Sequence, residues 1–166
     1  MSELQRVRSW ADALITLHLD ASWSFAFDNA KRRAGLCDYS RKRISVSRYL
    51  AARYDDETNH QTLLHEVAHA LAGRNAGHGP AWHRVARGLG YTGGATHDGE
   101  TAEELAPWVG VCAAGHVAYR HRRPPRATSC VKCASRFDSR FLFTWTRREI
   151  TPAVRLAAMT PRTPPA

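Results

Sequence analysis

Residues 65–69 read His-Glu-Val-Ala-His, a spacing that lets two imidazoles and one carboxylate act at a single metal ion. On a helix, side chains four residues apart differ by about 40° around the axis and about 6 Å along it. Both imidazoles can therefore reach one Zn²⁺ at about 2.0–2.1 Å. Glu66 projects beside them, close enough to take a proton from water that the metal activates. The segment predicts a hydrolytic zinc site with His65 and His69 as ligands and Glu66 as general base.

A catalytic zinc site needs a third protein ligand and one open coordination position. No Asp or Glu occurs between Val67 and His97, which argues against a carboxylate as the third ligand. His78 is the favoured candidate because it lies in a flexible Gly-His-Gly-Pro turn between two predicted helices. His83 and His97 are the alternatives, and His83, inside the second helix, is more simply an exposed or supporting side chain.

The elements that must position these side chains follow from the periodicity of apolar residues. Residues 57–72 predict the metal-binding helix, and Gly73 is well placed to end it. A shorter helix is predicted from Ala81 to Leu89, and Pro80 suits its first turn. The other predicted elements are an amphipathic helix at 2–19, with Ser2 and Gln5 as a capping box, and strands at 23–29, 33–39 and 43–50.

A second group of potential metal ligands, Cys112-x₃-His116 and Cys130-x₂-Cys133, lies in the C-terminal third of the chain. Two pairs of soft or borderline ligands, separated by 13 residues, are typical of a closed tetrahedral zinc site. Such a site can stabilise a small strand-rich module that has too little core to fold alone. His121 is the alternative to His116 as the fourth ligand.

The chain is strongly basic, with 24 Lys and Arg against 15 Asp and Glu and a net charge of +9. This excess favours polyanionic partners, nucleic acid first, although a generic basic surface has the same composition. Between the two ligand pairs, four arginines occur within seven residues, and Tyr119 beside them could stack on a base. We therefore predict DNA as a partner, contacted by Arg120, Arg122, Arg123 and Arg126.

The segment HEVAHAL, followed by GHGPAWHRVARGLG and preceded by RAGLCDYSRKRISVSRYL, resembles the SprT-like family over residues 8–147. The resemblance implies a small zincin-like α+β domain, with a short antiparallel sheet beside the active-site helices, followed by a β-rich zinc ribbon. By that likeness, His65, His69 and His78 match the family's zinc ligands and Glu66 its catalytic glutamate. The first ribbon pair departs from the family pattern, since it reads CxxxH instead of CxxC. Family members are associated with cleavage of proteins bound or crosslinked to DNA.

These observations predict a SprT-like zincin metallopeptidase domain at 1–107, a zinc ribbon at 108–147 and a disordered, proline-rich tail at 148–166. The predicted function is a zinc-dependent endopeptidase with one catalytic and one structural Zn²⁺, a protein substrate and DNA as a partner. The alternative is a nucleic-acid-binding zinc-ribbon protein whose peptidase-like half is a catalytically silent scaffold. Charged residues throughout 2–19, and the lack of a long apolar run, predict no export signal and no membrane association. We therefore expect the protein in the cytoplasm, with association with the nucleoid as the alternative.

Overall fold

An amphipathic helix, α1 (Glu3–His18), opens the computed structural model, which describes residues 2–94 and 101–160. Ser2 caps this helix, because its hydroxyl accepts the Gln5 N–H at 3.3 Å while the Gln5 side chain accepts the Ser2 N–H at 2.8 Å. The buried side chains of α1 are Val7, Ala11 and Ile15. Their i, i+4, i+8 spacing gives the helix the apolar stripe that its sequence predicts.

Three short strands follow, β1 (Ser24–Asp28), β2 (Gly35–Asp38) and β3 (Arg43–Ser47). Their order in the sheet is β1-β3-β2, so β3 lies in the centre. β2 pairs with β3 antiparallel, whereas β1 pairs with β3 parallel. The α+β class is confirmed, but this sheet is mixed instead of wholly antiparallel. The parallel pair arises because the chain passes from β1 to the far edge before it returns through the middle.

The third strand ends at Ser47, earlier than the predicted range of 43–50. The Ser47 hydroxyl accepts the Leu50 N–H at 3.3 Å and starts a one-turn helix, α2 (Arg48–Ala51). Ser and Thr are preferred at such helix starts because they satisfy an otherwise unpaired backbone N–H. The strand pattern therefore stops where this cap forms.

The helix predicted at 57–72 is α3 (Asp56–Ala72). Asp55 caps its start by accepting a backbone N–H at 2.7 Å. Gly73, with a φ of 87°, ends it in a conformation that favours glycine. The next helix, α4 (Pro80–Gly88), has its proline in the first turn, as the sequence predicts.

Two apolar clusters lie on different sides of α3. The first cluster joins α1, the sheet and α3, and includes Val7, Phe25, Ile44, Val46, Leu63 and Val67. The second joins α3 to α4 and the residues after it, and consists of Leu64, Ala68, Trp82, Ala86 and Tyr91. Burial on both sides holds α3 firmly, which is what a helix carrying metal ligands requires.

A second small sheet is formed by β4 (Trp108–Val111), β5 (Val117–Arg120) and β6 (Thr144–Arg147). The order is β5-β4-β6, and both pairings are antiparallel. The Trp145 ring packs on Gly110 of the central strand, where an added Cβ would lie 2.9 Å from the ring. This region has the β-rich character that the sequence predicts after the peptidase-like part.

The chain divides into two compact units, the described residues up to Thr101 and the segment Ala102–Ala158, with Met159 and Thr160 grouped with the first. The predicted domain boundary, after residue 107, is later than the observed one. Arg148 explains the difference, because its guanidinium donates to the carbonyls of Ala106 at 3.0 Å and Glu104 at 2.7 Å. These bonds hold residues before β4 in the second unit.

The tail predicted to be disordered, 148–166, contains a short helix, α5 (Pro152–Ala157). The Thr151 hydroxyl accepts the Val154 N–H at 3.4 Å, and Pro152 occupies the first turn. The expectation of disorder is therefore wrong for these residues, and residues 161–166 lie outside the described ranges. No helix within the described ranges is both long and apolar enough to cross a membrane.

Candidate active site

Three imidazole rings converge beside the C-terminal half of α3. His65 and His69 project from successive turns of that helix, and His78 approaches from the turn before α4. The Nε2 atoms lie 3.2 Å apart for His65 and His69, 3.0 Å for His69 and His78, and 3.1 Å for His65 and His78. Because His65 and His69 are half-buried while His78 is exposed, the cluster is accessible from solvent.

The donor atoms of this cluster suit a tetrahedral metal ion. Two nitrogens bound to one zinc at about 2.0–2.1 Å lie about 3.3 Å apart at the tetrahedral angle, close to the observed separations. Hydrogen bonds cannot account for all three contacts, since each ring nitrogen offers either one hydrogen or one lone pair. Burial and the nearby His78 lower the pKa of His69 to about 4, so this ring is neutral at pH 7, the form that binds metals. Among the described residues, no fourth Cys, His or acidic group joins the cluster.

Glu66 occupies a buried position on the same helix and is only 8% exposed. The backbone N–H of Cys37, on β2, donates to its carboxylate. Burial raises the pKa of Glu66 to about 8, although the positive charge of Arg33 and the Cys37 bond act in the opposite direction. A cation held by the adjacent imidazoles would also lower the pKa of Glu66, as the positive charge of Arg33 does, and would favour the charged carboxylate.

Trp82, the last residue of the HGPAW segment, forms the wall behind the three imidazoles. Its indole is fully buried, and its ring centroid lies 4.8 Å from that of His65, 5.3 Å from His69 and 4.7 Å from His78. Tyr91 adds a further ring, 5.4 Å from His65. These contacts restrict the ring orientations of all three candidate ligands.

Strand β2 supplies two contacts that the metal-binding motif does not predict. A Cβ at Gly35 would lie 2.6 Å from both Cγ and Oε1 of Glu66, so this side chain fills the space beside the glycine. The Tyr39 hydroxyl, just past the strand, donates to the His69 carbonyl oxygen at 2.8 Å. A glycine inside a strand pattern does signal a close approach, but not which residue makes it.

Of the two alternative third ligands, the structure describes only His83, which lies outside the cluster. His83 is exposed on α4, and its ring packs against Trp82 at a centroid distance of 5.0 Å, outside the three-histidine cluster. His97 lies outside the described residues. His78 is thus the candidate that the structure brings to His65 and His69.

A family model described as SprT-like family matches residues 4–101, which is more than half of the chain. The chain belongs to the SprT-like family. Its first unit is accordingly a peptidase-like domain, and the match includes the three clustered histidines, Glu66 and β2. Comparison with curated proteins finds no match, and comparison with solved structures finds none.

Beyond the matched SprT-like residues, the second unit contains its own group of four potential ligands, Cys112, His116, Cys130 and Cys133. Nδ1 of His116 lies 3.7, 3.6 and 3.2 Å from the three sulfurs in that order, and the sulfurs of Cys112 and Cys133 are 3.8 Å apart. A tetrahedral zinc would place sulfur and nitrogen about 3.6 Å apart and two sulfurs about 3.8 Å apart. The set fits zinc, and His116 is the histidine that joins it, not His121.

The predicted DNA-contacting arginines lie on and after β5 in this second unit. Arg120 lies over the Trp145 ring at 5.9 Å and Arg123 over the Trp108 ring at 5.5 Å, while the side chains of Arg122 and Arg126 are exposed. An open groove of about 580 Å³ is lined by Arg123, Arg126, Phe143 and Trp145, among other residues. Positive charge and aromatic rings therefore share one surface, which is the composition of single-stranded nucleic-acid sites.

Proposed function

We propose that this SprT-like chain is a zinc-dependent endopeptidase. The observation that supports this most directly is the approach of three Nε2 atoms to within 3.2 Å of one another, beside a buried carboxylate of the same helix. His65, His69 and His78 would hold the ion, and Glu66 would be the catalytic base. When bound there, zinc supplies polarisation of a peptide carbonyl and increases the acidity of water.

Glu66 moves the proton in this proposal. Its carboxylate accepts a proton from the attacking water, whose oxygen bonds to the carbonyl carbon of the substrate. The carbon–nitrogen bond then breaks, and the same carboxyl group returns the proton to the leaving amine. The Cys37 N–H orients the Glu66 carboxylate. The burial of Glu66 keeps bulk water from competing for the proton.

The proposed substrates are proteins bound or crosslinked to DNA. The second unit supports this choice, because Ala102–Ala158 contains ten Lys and Arg against four Asp and Glu, a net charge of +6 out of +9 for the chain. Phosphate contacts by such a unit would bring the peptidase-like domain to proteins on the same DNA. Arg120, Arg122, Arg123 and Arg126 are the proposed contacts.

The test uses the full-length, zinc-loaded chain with a protein crosslinked to a DNA oligonucleotide, and the same protein without DNA. We expect fragments from the crosslinked protein, no fragments after chelation, and a loss of about 10²-fold or more in Glu66→Gln. The matched control is the zinc content of Glu66→Gln, which should equal that of the wild type. Wild-type cleavage rates in Glu66→Gln would contradict the role of Glu66 as the base. Equal cleavage of the protein with and without DNA would contradict only the proposal that the substrates are proteins on DNA.

A second function is favoured by the groove beside Arg123 and Arg126. A nucleic-acid-binding protein with a catalytically silent peptidase-like scaffold would use this basic surface and the cysteine-containing cluster. Such a protein would bind DNA with wild-type affinity after Glu66→Gln and would leave every protein substrate intact.

A further inference from the structure

The edge strand β2 presents alternate residues to α3. Ser47 donates its N–H to the Ala34 carbonyl at 2.8 Å, which sets the hydrogen-bonding register of β2 on β3. In an antiparallel pair, the backbone groups of every second residue point away from the partner strand. By this register, Gly35 and Cys37 direct their N–H groups to the free edge, where the Cys37 N–H meets the Glu66 carboxylate.

We propose that Gly35 is a positioning residue for Glu66, because the missing side chain leaves the space in which the carboxyl group is held. An added Cβ would lie 2.6 Å from Cγ, 2.6 Å from Oε1 and 2.9 Å from Cδ of Glu66. Real Cβ contacts are essentially never shorter than 3.0 Å, so the side chain would have to move. This inference rests on the proposed function only for its effect on catalysis.

The residues around Glu66 leave its side chain little room to shift away from an added Cβ. Its helix, α3, is buried against the sheet-side cluster and, through Leu64 and Ala68, against α4. Glu66 itself is only 8% exposed, so neighbouring atoms surround its side chain. A carboxyl group displaced by the added Cβ would also lose its contact with the Cys37 N–H. Tyr39 fixes the end of β2 to the same helix through its bond to the His69 carbonyl, so the strand cannot easily withdraw.

The zinc ligands do not take part in this contact. The three atoms nearest to the added Cβ all belong to Glu66, whereas His65 and His69 contact His78 and Trp82 through their rings. A Cβ at position 35 should therefore displace the base without removing the metal. That separation distinguishes a positioning role from a general loss of structure.

The first test compares Gly35→Ala with Gly88→Ala, both zinc-loaded, for hydrolysis of a protein substrate. Gly88 is the matched control because it is also a glycine with no positive φ, and an added Cβ there meets nothing within 4 Å. We expect kcat of Gly35→Ala to fall about 10²-fold, with KM changed less than about twofold and zinc content unchanged. A wild-type kcat in Gly35→Ala would overturn the proposal.

The second test needs no activity and remains decisive if Gly35→Ala folds poorly. The thermal unfolding midpoint is measured for wild type, Gly35→Ala, Glu66→Ala and the double variant. We expect Gly35→Ala to lower the midpoint by several degrees in the presence of Glu66 and to leave it nearly unchanged in the Glu66→Ala background. Equal losses in both backgrounds would refute the contact. A wild-type chain that cleaves nothing would defeat the proposed function, while this cycle would still decide the role of Gly35.

Discussion

Individual side chains at the site depend on Trp82 for their orientation. The indole is fully buried and lies within 5.3 Å, centroid to centroid, of all three candidate ligands. We expect Trp82→Ala to lower the free energy of unfolding by about 3–5 kcal/mol, the usual loss for a buried aromatic ring. Trp82→Phe should lose much less, because the indole nitrogen has no hydrogen-bond partner among the described residues. Urea unfolding of both variants measures this, and equal losses would contradict the packing role of the ring.

The metal-binding motif could be predicted from the sequence, whereas the contact between Gly35 and Glu66 could not. His65, Glu66 and His69 were predictable because a single helix sets their spacing, and His78 because the flexible turn around it allows it to reach them. Gly35 was not predictable, since its contact with Glu66 depends on how an edge strand lies against a helix distant in sequence. A local motif encodes spacing along one helix, but it does not encode how a strand packs against a helix that is distant in sequence.

The start of α3 determines how firmly the helix with His65 and His69 is held. The Asp55 carboxylate accepts the Thr58 N–H, and its hydrogen bonds with Thr58 hold the pKa of Asp55 below its usual range. A lowered pKa means that the stabilisation is present above the unfolded value of about 3.9 and is lost as the pH falls through the folded value. We expect Asp55→Ala to lose about 1 kcal/mol at pH 7 and less at pH 3.

Asp55→Asn is the matched control for this cap, because asparagine accepts the same hydrogen bond without titrating. At pH 7, the free energy of unfolding of Asp55→Asn should be closer to the wild-type value than that of Asp55→Ala. Urea unfolding at pH 7 and pH 3 supplies the comparison. A loss in Asp55→Ala that stays constant with pH would show that the carboxylate charge does not contribute.

The elements themselves were predicted well where local signals exist. α1 and its capping box, α3 with its terminal glycine, and α4 with its initial proline all follow from neighbouring residues. The parallel pairing of β1 with β3 does not, because strand order is fixed by contacts across the whole domain. The proline-rich composition of 148–166 predicts disorder, whereas Thr151 and Pro152 form an ordinary helix start for α5.

For the whole molecule, the uneven distribution of charge makes DNA binding testable. The second unit holds a net charge of +6, so its affinity for DNA should fall steeply with salt. We expect the double variant Arg122→Ala, Arg126→Ala to reduce the slope of log affinity against log salt by about 1.4–1.8, about 0.7–0.9 for each lost phosphate contact. Fluorescence anisotropy with a labelled oligonucleotide measures the slope.

The matched control for this experiment is the double variant Arg84→Ala, Arg87→Ala. Both arginines are exposed on α4, and their substitution removes the same amount of charge from the first unit. Their loss should leave the slope unchanged. An equal reduction in both double variants would show that net charge alone matters, and that the second unit has no defined phosphate contacts.

We propose one metal ion at the three clustered imidazoles and a second at the cluster of three cysteines and His116. The most direct measurement is zinc per chain by mass spectrometry after gel filtration, for wild type, His78→Ala and His83→Ala. We expect about two equivalents in wild type and His83→Ala, and about one in His78→Ala, given the two ligand clusters. One equivalent in wild type, unchanged by His78→Ala, would contradict this proposal.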